Sequence, residues 1–329
     1  MIQEKIHKII NKLETQNHFL VSAHLRADGD AVASVCFISS ILSTLQKSFY
    51  AVLHDDVLDE RYRFLDHFID IHRGGRVDAD FNPRNAIILD TPTFDRLGSV
   101  ADKIRHLDDI ILIDHHISNR NYPGISLVDV HRSSTCEILA EILKERPEWM
   151  SPAVATTLYT GIAFDTGRFR FSNTKASTLE TAAWLVKHGA RPDIIANHVF
   201  YNWTPLRVEI MGRVLSGLTL YSNNRIAIMQ LDYDFFRDHS NGWKELEGFS
   251  NFGMAIQGVE VSAFLKELQP NHYKISLRSS RDCNVEKIAR FFGGGGHAKA
   301  AGCEIKGHAK NIIPQLIERF ESQLNKTED

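Results

Sequence analysis

The chain has 329 residues, 43% of them hydrophobic and 24% charged, with 38 Lys+Arg against 41 Asp+Glu for a net charge of −3. This is the balance of an ordinary globular protein of about two domains, and it excludes a disordered, collagenous or disulfide-scaffold chain. A charge so near zero provides no global positive field to hold long nucleic acid by counterion release, which leaves only a local basic patch.

In chain order, residues 19–23 read as a strand, 30–45 as an apolar-rich helix and 49–53 as a second strand. Residues 86–89 and 110–113 are continuous apolar runs of the kind found in buried parallel strands. Residues 134–143 read as a helix, with Ser134 and Glu137 at capping-box spacing. Residues 151–164 are an uncharged, buried helix, and 175–188 a further helix stopped by Gly189 and Pro192. Strands alternating with helices predict a doubly wound, mainly parallel α/β domain. The second half changes character. A connecting helix at 205–218 leads to strand candidates at 226–231, 259–268 and 273–278. A helix at 285–292, a glycine run at 293–296, a short strand at 303–305 and a closing helix at 308–324 follow. The expected organisation is an α/β domain over 1–195, a helical linker over 196–220 and a smaller α+β domain over 221–329. Cys36, Cys136, Cys283 and Cys303 form no C-x-x-C pair and fit no zinc spacing. With a mixed-charge N-terminus unlike a secretory leader and no long apolar run, they predict a cytoplasmic protein.

Histidine is the one unusual count, at 16, and the informative histidines are those beside carboxylates. His24-Leu-Arg-Ala-Asp28-Gly-Asp30 follows the first strand and opens the first long helix. Ligands of open α/β sheets bind at the carboxyl ends of strands, and one imidazole with two carboxylates suits Mn²⁺ or Mg²⁺ and is compatible with Co²⁺ or Zn²⁺. Read alone, the segment is equally a polar loop in which Asp30 caps the helix. Asp90 ends the 86–89 run and, alone, is a turn residue. Asp114-His115-His116 ends the 110–113 run. Successive strand residues face opposite ways, so both imidazoles reach one cleft only if the chain turns there. Asp165, in Gly161-Ile-Ala-Phe-Asp165-Thr-Gly167, ends an uncharged helix, where a carboxylate is costly unless it meets positive charge. Four such placements, each at the end of an apolar element, form a pattern. In the second half, Arg278-Ser279-Ser280-Arg281 ends a strand, and four consecutive glycines before His297 let backbone N–H groups approach an anion.

The ordered set H-x-x-x-D-x-D, D, D-H-H, D resembles the DHH phosphoesterase superfamily. Phe292-Gly-Gly-Gly-Gly-His297-Ala-Lys-Ala-Ala-Gly302 resembles the glycine-rich loop of its DHHA1 accessory domain. That branch spans nano-RNases of the NrnA type, single-strand exonucleases of the RecJ type and cyclic-dinucleotide phosphodiesterases, and the nano-RNase type fits this compact chain. The resemblance covers roughly residues 15–320. It implies that His24, Asp28 and Asp90 hold one divalent ion and Asp30, Asp90, His115 and Asp165 another, with Asp90 bridging. It places His116 at the scissile phosphate and gives Asp114 the orientation of the His115 or His116 ring. Arg278, Ser280, Ser279, Gly294, Gly295, Gly296 and His297 become substrate contacts, while Arg281 stays a turn residue. The implied cofactors are two divalent metal ions, Mn²⁺ first, with Mg²⁺ or Co²⁺ also fitting. The implied reaction is hydrolysis of very short RNA or DNA, of linear dinucleotides such as pApA, and of adenosine 3′,5′-bisphosphate (pAp), by a bridging hydroxide between the two metals. A RecJ-like single-strand DNA exonuclease or a cyclic-dinucleotide phosphodiesterase is the alternative. The implied partners are short oligonucleotides and small phosphorylated nucleotides, with no membrane; the chain's size also fits a homodimer.

Overall fold

The computed structural model describes residues 2–116, 122–238, 245–246, 248–280 and 283–324. The chain divides into two compact units, Met1–Asn202 and Trp203–Asp329.

The first unit is built from α1 (Ile2–Thr15), β1 (Phe19–Ala23), α2 (Gly29–Thr44), β2 (Phe49–Ala51), β3 (Asn85–Leu89), α3 (Ala101–Ile104), β4 (Ile110–Asp114), β5 (Gly124–Val128), α4 (Thr135–Lys144), α5 (Pro152–Asp165), α6 (Ala176–Lys187) and α7 (Pro192–Ile195). Its five strands are all parallel, in the order β2-β1-β3-β4-β5. Every residue of β1, β3 and β4 is buried, because both faces of the sheet are covered. Alternate residues serve two separate cores. Val21, Ile87, Leu89, Ile111 and Ile113 pack with α1, α2, α4 and α5. Leu20, Ala86, Ile88, Ile110 and Leu112 pack on the other face with Val100, Ala101 and Ile104. Helix α2 is apolar on all sides and correspondingly buried along almost its whole length. In the order 2-1-3-4-5, the chain reverses its winding between β1 and β3, and that switch point opens a crevice at the strands' carboxyl ends.

The second unit comprises α8 (Pro205–Ser216), β6 (Thr219–Tyr221), β7 (Ile226–Leu231), α9 (Tyr233–Asp238), β8 (Val261–Gln269), β9 (His272–Ser279), α10 (Val285–Phe291), β10 (Gly295–His297), β11 (Ala300–Lys306) and α11 (Ala309–Leu324). The strand order is β10-β11-β9-β8-β7-β6, antiparallel except between β7 and β8. One sheet face packs Ile228, Val261, Ala263, Leu265, Ile275 and Leu277 against α10 and α11. The other face is covered at its β7–β8 side by α8 and by residues near Phe249. Half of the glycine run is itself a strand, paired Gly295 to Gly302 and His297 to Ala300. Gly296 has φ +144°, and a side chain at Gly294 would stand 2.7 Å from the Cα of Cys303, so these two positions require glycine. No helix among the described residues is long and apolar enough to cross a membrane.

Candidate metal centre and substrate-binding sheet

The residues at the ends of β1, β3 and β4 and of helix α5 converge. His24 is the first residue after β1. Its Nδ1 lies 2.9 Å from the Leu25 carbonyl, a contact that places a proton on Nδ1 and turns Nε2 toward the carboxylates. That Nε2 is 3.8 Å from Asp28 and 3.4 Å from Asp90. The loop between His24 and Asp28 is pinned by Asp55, whose carboxylate accepts the Arg26 and Ala27 backbone N–H groups at 2.9 and 3.1 Å. Asp28, rather than Asp30, caps α2, accepting from the backbone N–H groups of Asp30 and Ala31. Asp30 sits inside the first turn, fully buried, and accepts the Thr135 and Cys136 N–H groups at 2.6 and 3.0 Å. The N-terminus of α4 therefore holds it, through both its N–H groups and its dipole.

Asp90 is the centre of the cluster. It is 1% exposed and has a left-handed φ of 50°, a conformation that aspartate tolerates better than most side chains. One oxygen faces His24, and the other lies 3.4 Å from His115 Nε2, 3.6 Å from His116 Nδ1 and 3.0 Å from the donating Thr135 hydroxyl. His115 Nε2 is also 3.1 Å from Asp165 at the end of α5. Asp114, buried as the last residue of β4, lies 2.7 Å from His116 Nδ1, so the ring it orients is that of His116. The chain does turn after β4, and both imidazoles face Asp90, with ring centroids 4.6 Å apart.

Three groups of side chains have donor atoms close enough to share a cation: His24, Asp28 and Asp90; Asp30, His115 and Asp165; and Asp90, His115 and His116. Among the described residues, no lysine or arginine forms an ion pair with Asp28, Asp30, Asp90 or Asp165. Protons occupy the deficit. Although burial disfavours its imidazolium, Asp28 and Asp90 lift His24 to about 11, and Asp165 and Asp90 lift His115 to about 11 in the same way. Burial and the neighbouring Asp90 and Asp165 carboxylates push Asp30 well above the usual carboxylate range. Asp165 rises to about 6, from burial first and then from Asp90 and Asp28. Asp90 is lowered: burial opposes this, but His115 and His24 outweigh it. His116 is raised, chiefly by its bond to Asp114. A donor set of hard carboxylates and imidazoles that must gather protons to stay buried fits divalent cations, which supply the missing charge.

Three contributors were not legible as site residues. Thr135 binds Asp30 through its N–H and Asp90 through its hydroxyl. Glu137 is buried and accepts from Ser133 N–H at 2.8 Å, Ser133 Oγ at 2.6 Å, Thr178 Oγ1 at 3.0 Å and Arg132 at 3.0 Å. The capping box is thus half formed: Ser134 accepts the Glu137 N–H, but Glu137 reaches one residue further back. Gly161 lets α5 approach so closely that a Cβ there would lie 2.5 Å from Asp30 and against Cys136.

In the second unit, Arg278 is half-buried on β9. Its guanidinium donates to Asn251 and to its neighbour's carbonyl, and burial lowers its pKa. His297 stands on the same face, two strands away, by way of Ala300. Gly295 lies beside it on β10, and Gly294 and Gly296 flank that position. The Ser279 hydroxyl donates to Cys283 and Ala298 carbonyls on the opposite face, and the Ser280 hydroxyl turns to the Glu260 carbonyl. Arg281 lies outside the described residues.

Residues 18–162 match the DHH family N-terminal domain, and residues 223–326 match the DHHA1 domain. The chain is 26% identical over 287 residues to the bifunctional oligoribonuclease and PAP phosphatase NrnA of Thermus thermophilus, covering 87% of this chain and 84% of that one. It is 26% identical over 305 residues to the Bacillus subtilis protein of the same name, with 91% and 92% covered. Its fold is similar to that of an exopolyphosphatase-related protein from Bacteroides fragilis, with a TM-score of 0.88 at 24% identity over 99% and 98% of the two chains. The protein is a hydrolase of phosphoester bonds. It belongs to the DHH family and carries a DHHA1 domain behind its DHH domain. Enzymes of this family depend on divalent metal, and the cluster around Asp90 offers the ligands for it.

Proposed function

We propose that the protein hydrolyses the phosphodiester bonds of very short oligonucleotides, including linear dinucleotides such as pApA, and removes the 3′-phosphate of pAp, in the cytoplasm and with Mn²⁺ as its preferred metal. The observation that carries this reading is Asp90, buried within 3.6 Å of three imidazoles and shared between two donor groups. The relatives from Thermus thermophilus and Bacillus subtilis bear the names of both activities.

His24, Asp28 and Asp90 would hold one ion, and Asp30, Asp90, His115 and Asp165 a second. Bound divalent ions supply Lewis acidity at the phosphoryl group and offset the carboxylate charge. Asp30 is fixed by the N-terminus of α4 and Asp90 by Thr135, so neither has to reorganise when substrate arrives. His116 has Nδ1 committed to Asp114, which leaves Nε2 to hold a proton for a phosphoryl or leaving oxygen. In the second unit, Arg278 and the backbone of the 295–296 segment would supply donors for the substrate's phosphate and sugar, with His297 beside them; the Gly294 N–H is committed to the Ala289 carbonyl.

The deciding experiment follows end-labelled RNA and DNA of two to about twenty-four nucleotides beside pAp, with Mn²⁺ and with a chelator. The expected result is turnover that falls with length, includes pAp and vanishes with the chelator. A preference for long single-stranded DNA would replace this reading with the exonuclease one.

A further inference from the structure

The face of the second sheet that carries Arg278 continues beyond the substrate contacts assigned above. Strand register lays its residues out in rows. His297, Ala300, Arg278 and Ser262 form one row; Gly295, Gly302, Ser276 and Phe264 the next; Glu304, Lys274 and Lys266 the third. Lys306 and His272 follow. The two glycines leave a side-chain-free trough in the middle row. Beyond it, Lys274 stands directly opposite Lys266, a like-charge pairing that destabilises a sheet unless something negative lies between. Neither lysine has an ion-pair partner among the described residues. The carboxylate in their row, Glu304, turns to His272 at 3.3 Å. Lys266 is half-buried, and burial together with Lys274 and Arg278 lowers its pKa. Lys274 is exposed.

We propose that Lys274 and Lys266 form a second phosphate subsite, which takes the backbone of an oligonucleotide whose first phosphate lies at Arg278. Four residues of strand separate Arg278 from Lys274, about 13 Å at the rise of an extended chain. The Arg278 guanidinium is anchored to Asn251 and to the Leu277 carbonyl, so a phosphate held there is not shared with Lys274, and the subsite serves a ligand with a further phosphate along its backbone, selecting oligonucleotides over a single nucleotide. This inference rests on the proposed activity and names the feature that sets its length preference.

The test is equilibrium binding of 5′-labelled tetra-adenylate and of labelled pAp to the full-length protein in chelator, across a salt series, with hydrolysis of both by wild type measured alongside. For the Lys266→Gln/Lys274→Gln double variant, the ratio of the tetra-adenylate Kd to the pAp Kd should rise about tenfold, and the salt slope for tetra-adenylate should fall by about 0.7, the value of one lost phosphate contact. Lys274→Arg, which keeps the charge at an exposed position, should recover most of the slope. An unchanged ratio and slope in the double variant, with wild type hydrolysing the oligonucleotide, would overturn the subsite alone. Failure of wild type to hydrolyse either ligand with Mn²⁺ would overturn the proposed function and the subsite with it.

Discussion

In the first unit the proposed functional groups are mostly buried carboxylates and imidazoles; in the second they are cations and bare backbone on a partly exposed sheet face. Burial makes the first set interdependent. Asp30, Asp90 and Asp165 shift one another and the histidines between them, because each uncompensated charge in a low-dielectric crevice must be met by a proton, a helix terminus or a metal. The second set is coupled more weakly: burial, Lys274 and Arg278 lower the half-buried Lys266, while water screens the exposed Lys274. The difference predicts that a change in the first unit spreads through the whole cluster, whereas a change in the second subtracts one contact.

Asp90→Ala is the hardest blow to the first kind of site. It removes the ligand shared by two donor groups and the acceptor of the Thr135 hydroxyl. Turnover should fall about a thousandfold or more, corresponding to several kcal/mol of charge stabilisation, while circular dichroism stays native. Retention of more than a few per cent of the activity would mean that the cluster does not act as a unit around Asp90.

Gly161→Ala tests the same interdependence without touching a ligand. Its new methyl would stand 2.5 Å from Asp30, so either α5 retreats or Asp30 moves. Overpacking of this kind costs about 1–3 kcal/mol, and a misplaced ligand about a hundredfold in rate. A variant with lowered thermal stability but wild-type kcat would show that Asp30 tolerates displacement.

The sequence carried unequal amounts of this. Strands β1, β3 and β4 were legible because strands buried on both faces are unbroken apolar runs. Strand β5 was not: at the sheet edge only Leu127 is buried, so neither a run nor an alternation forms. Strands β6 and β10 are three residues long, and β10 is mostly glycine, which carries no strand signal. The His–Asp clusters stood out because each ends an apolar element. The Asp30 cap did not hold, because α2 begins at Gly29, with Asp28 in the capping position two residues before Asp30. Thr135 and Gly161 gave no sign because their roles exist only through distant partners: Thr135 meets Asp90 across 45 residues and Asp30 across 105. A lone threonine at a helix start reads as a cap and nothing more.

Glu137 extends the contrast to stability. Buried yet hydrogen-bonded to Ser133, Arg132 and Thr178, it has a lowered pKa: burial opposes this, and those donors overcome it. A carboxylate depressed in the folded state contributes stability above its unfolded value of about 4.3 and loses that contribution as pH falls through the lower folded value. Glu137→Gln keeps the shape and removes the charge. It should cost about 2 kcal/mol at pH 7 and flatten the acid side of a plot of urea midpoint against pH. An unchanged acid limb would assign the acid sensitivity to other carboxylates.

Arg278→Ala is the smallest change and the sharpest probe of the second unit. Its guanidinium is held by Asn251 rather than by a carboxylate, so its charge stays available to a phosphate, and half-burial strengthens that contact relative to a fully solvated one. If the exposed sheet only grips substrate, the group is used equally in the ground and transition states. KM for pApA should then rise about tenfold with kcat changed less than twofold. The opposite split, a fall in kcat at constant KM, would place Arg278 on charge that develops during the reaction. The second unit would then share the property that separates it from the first: its groups would act jointly with the buried ligands, and losses from Arg278→Ala and Asp90→Asn would no longer add.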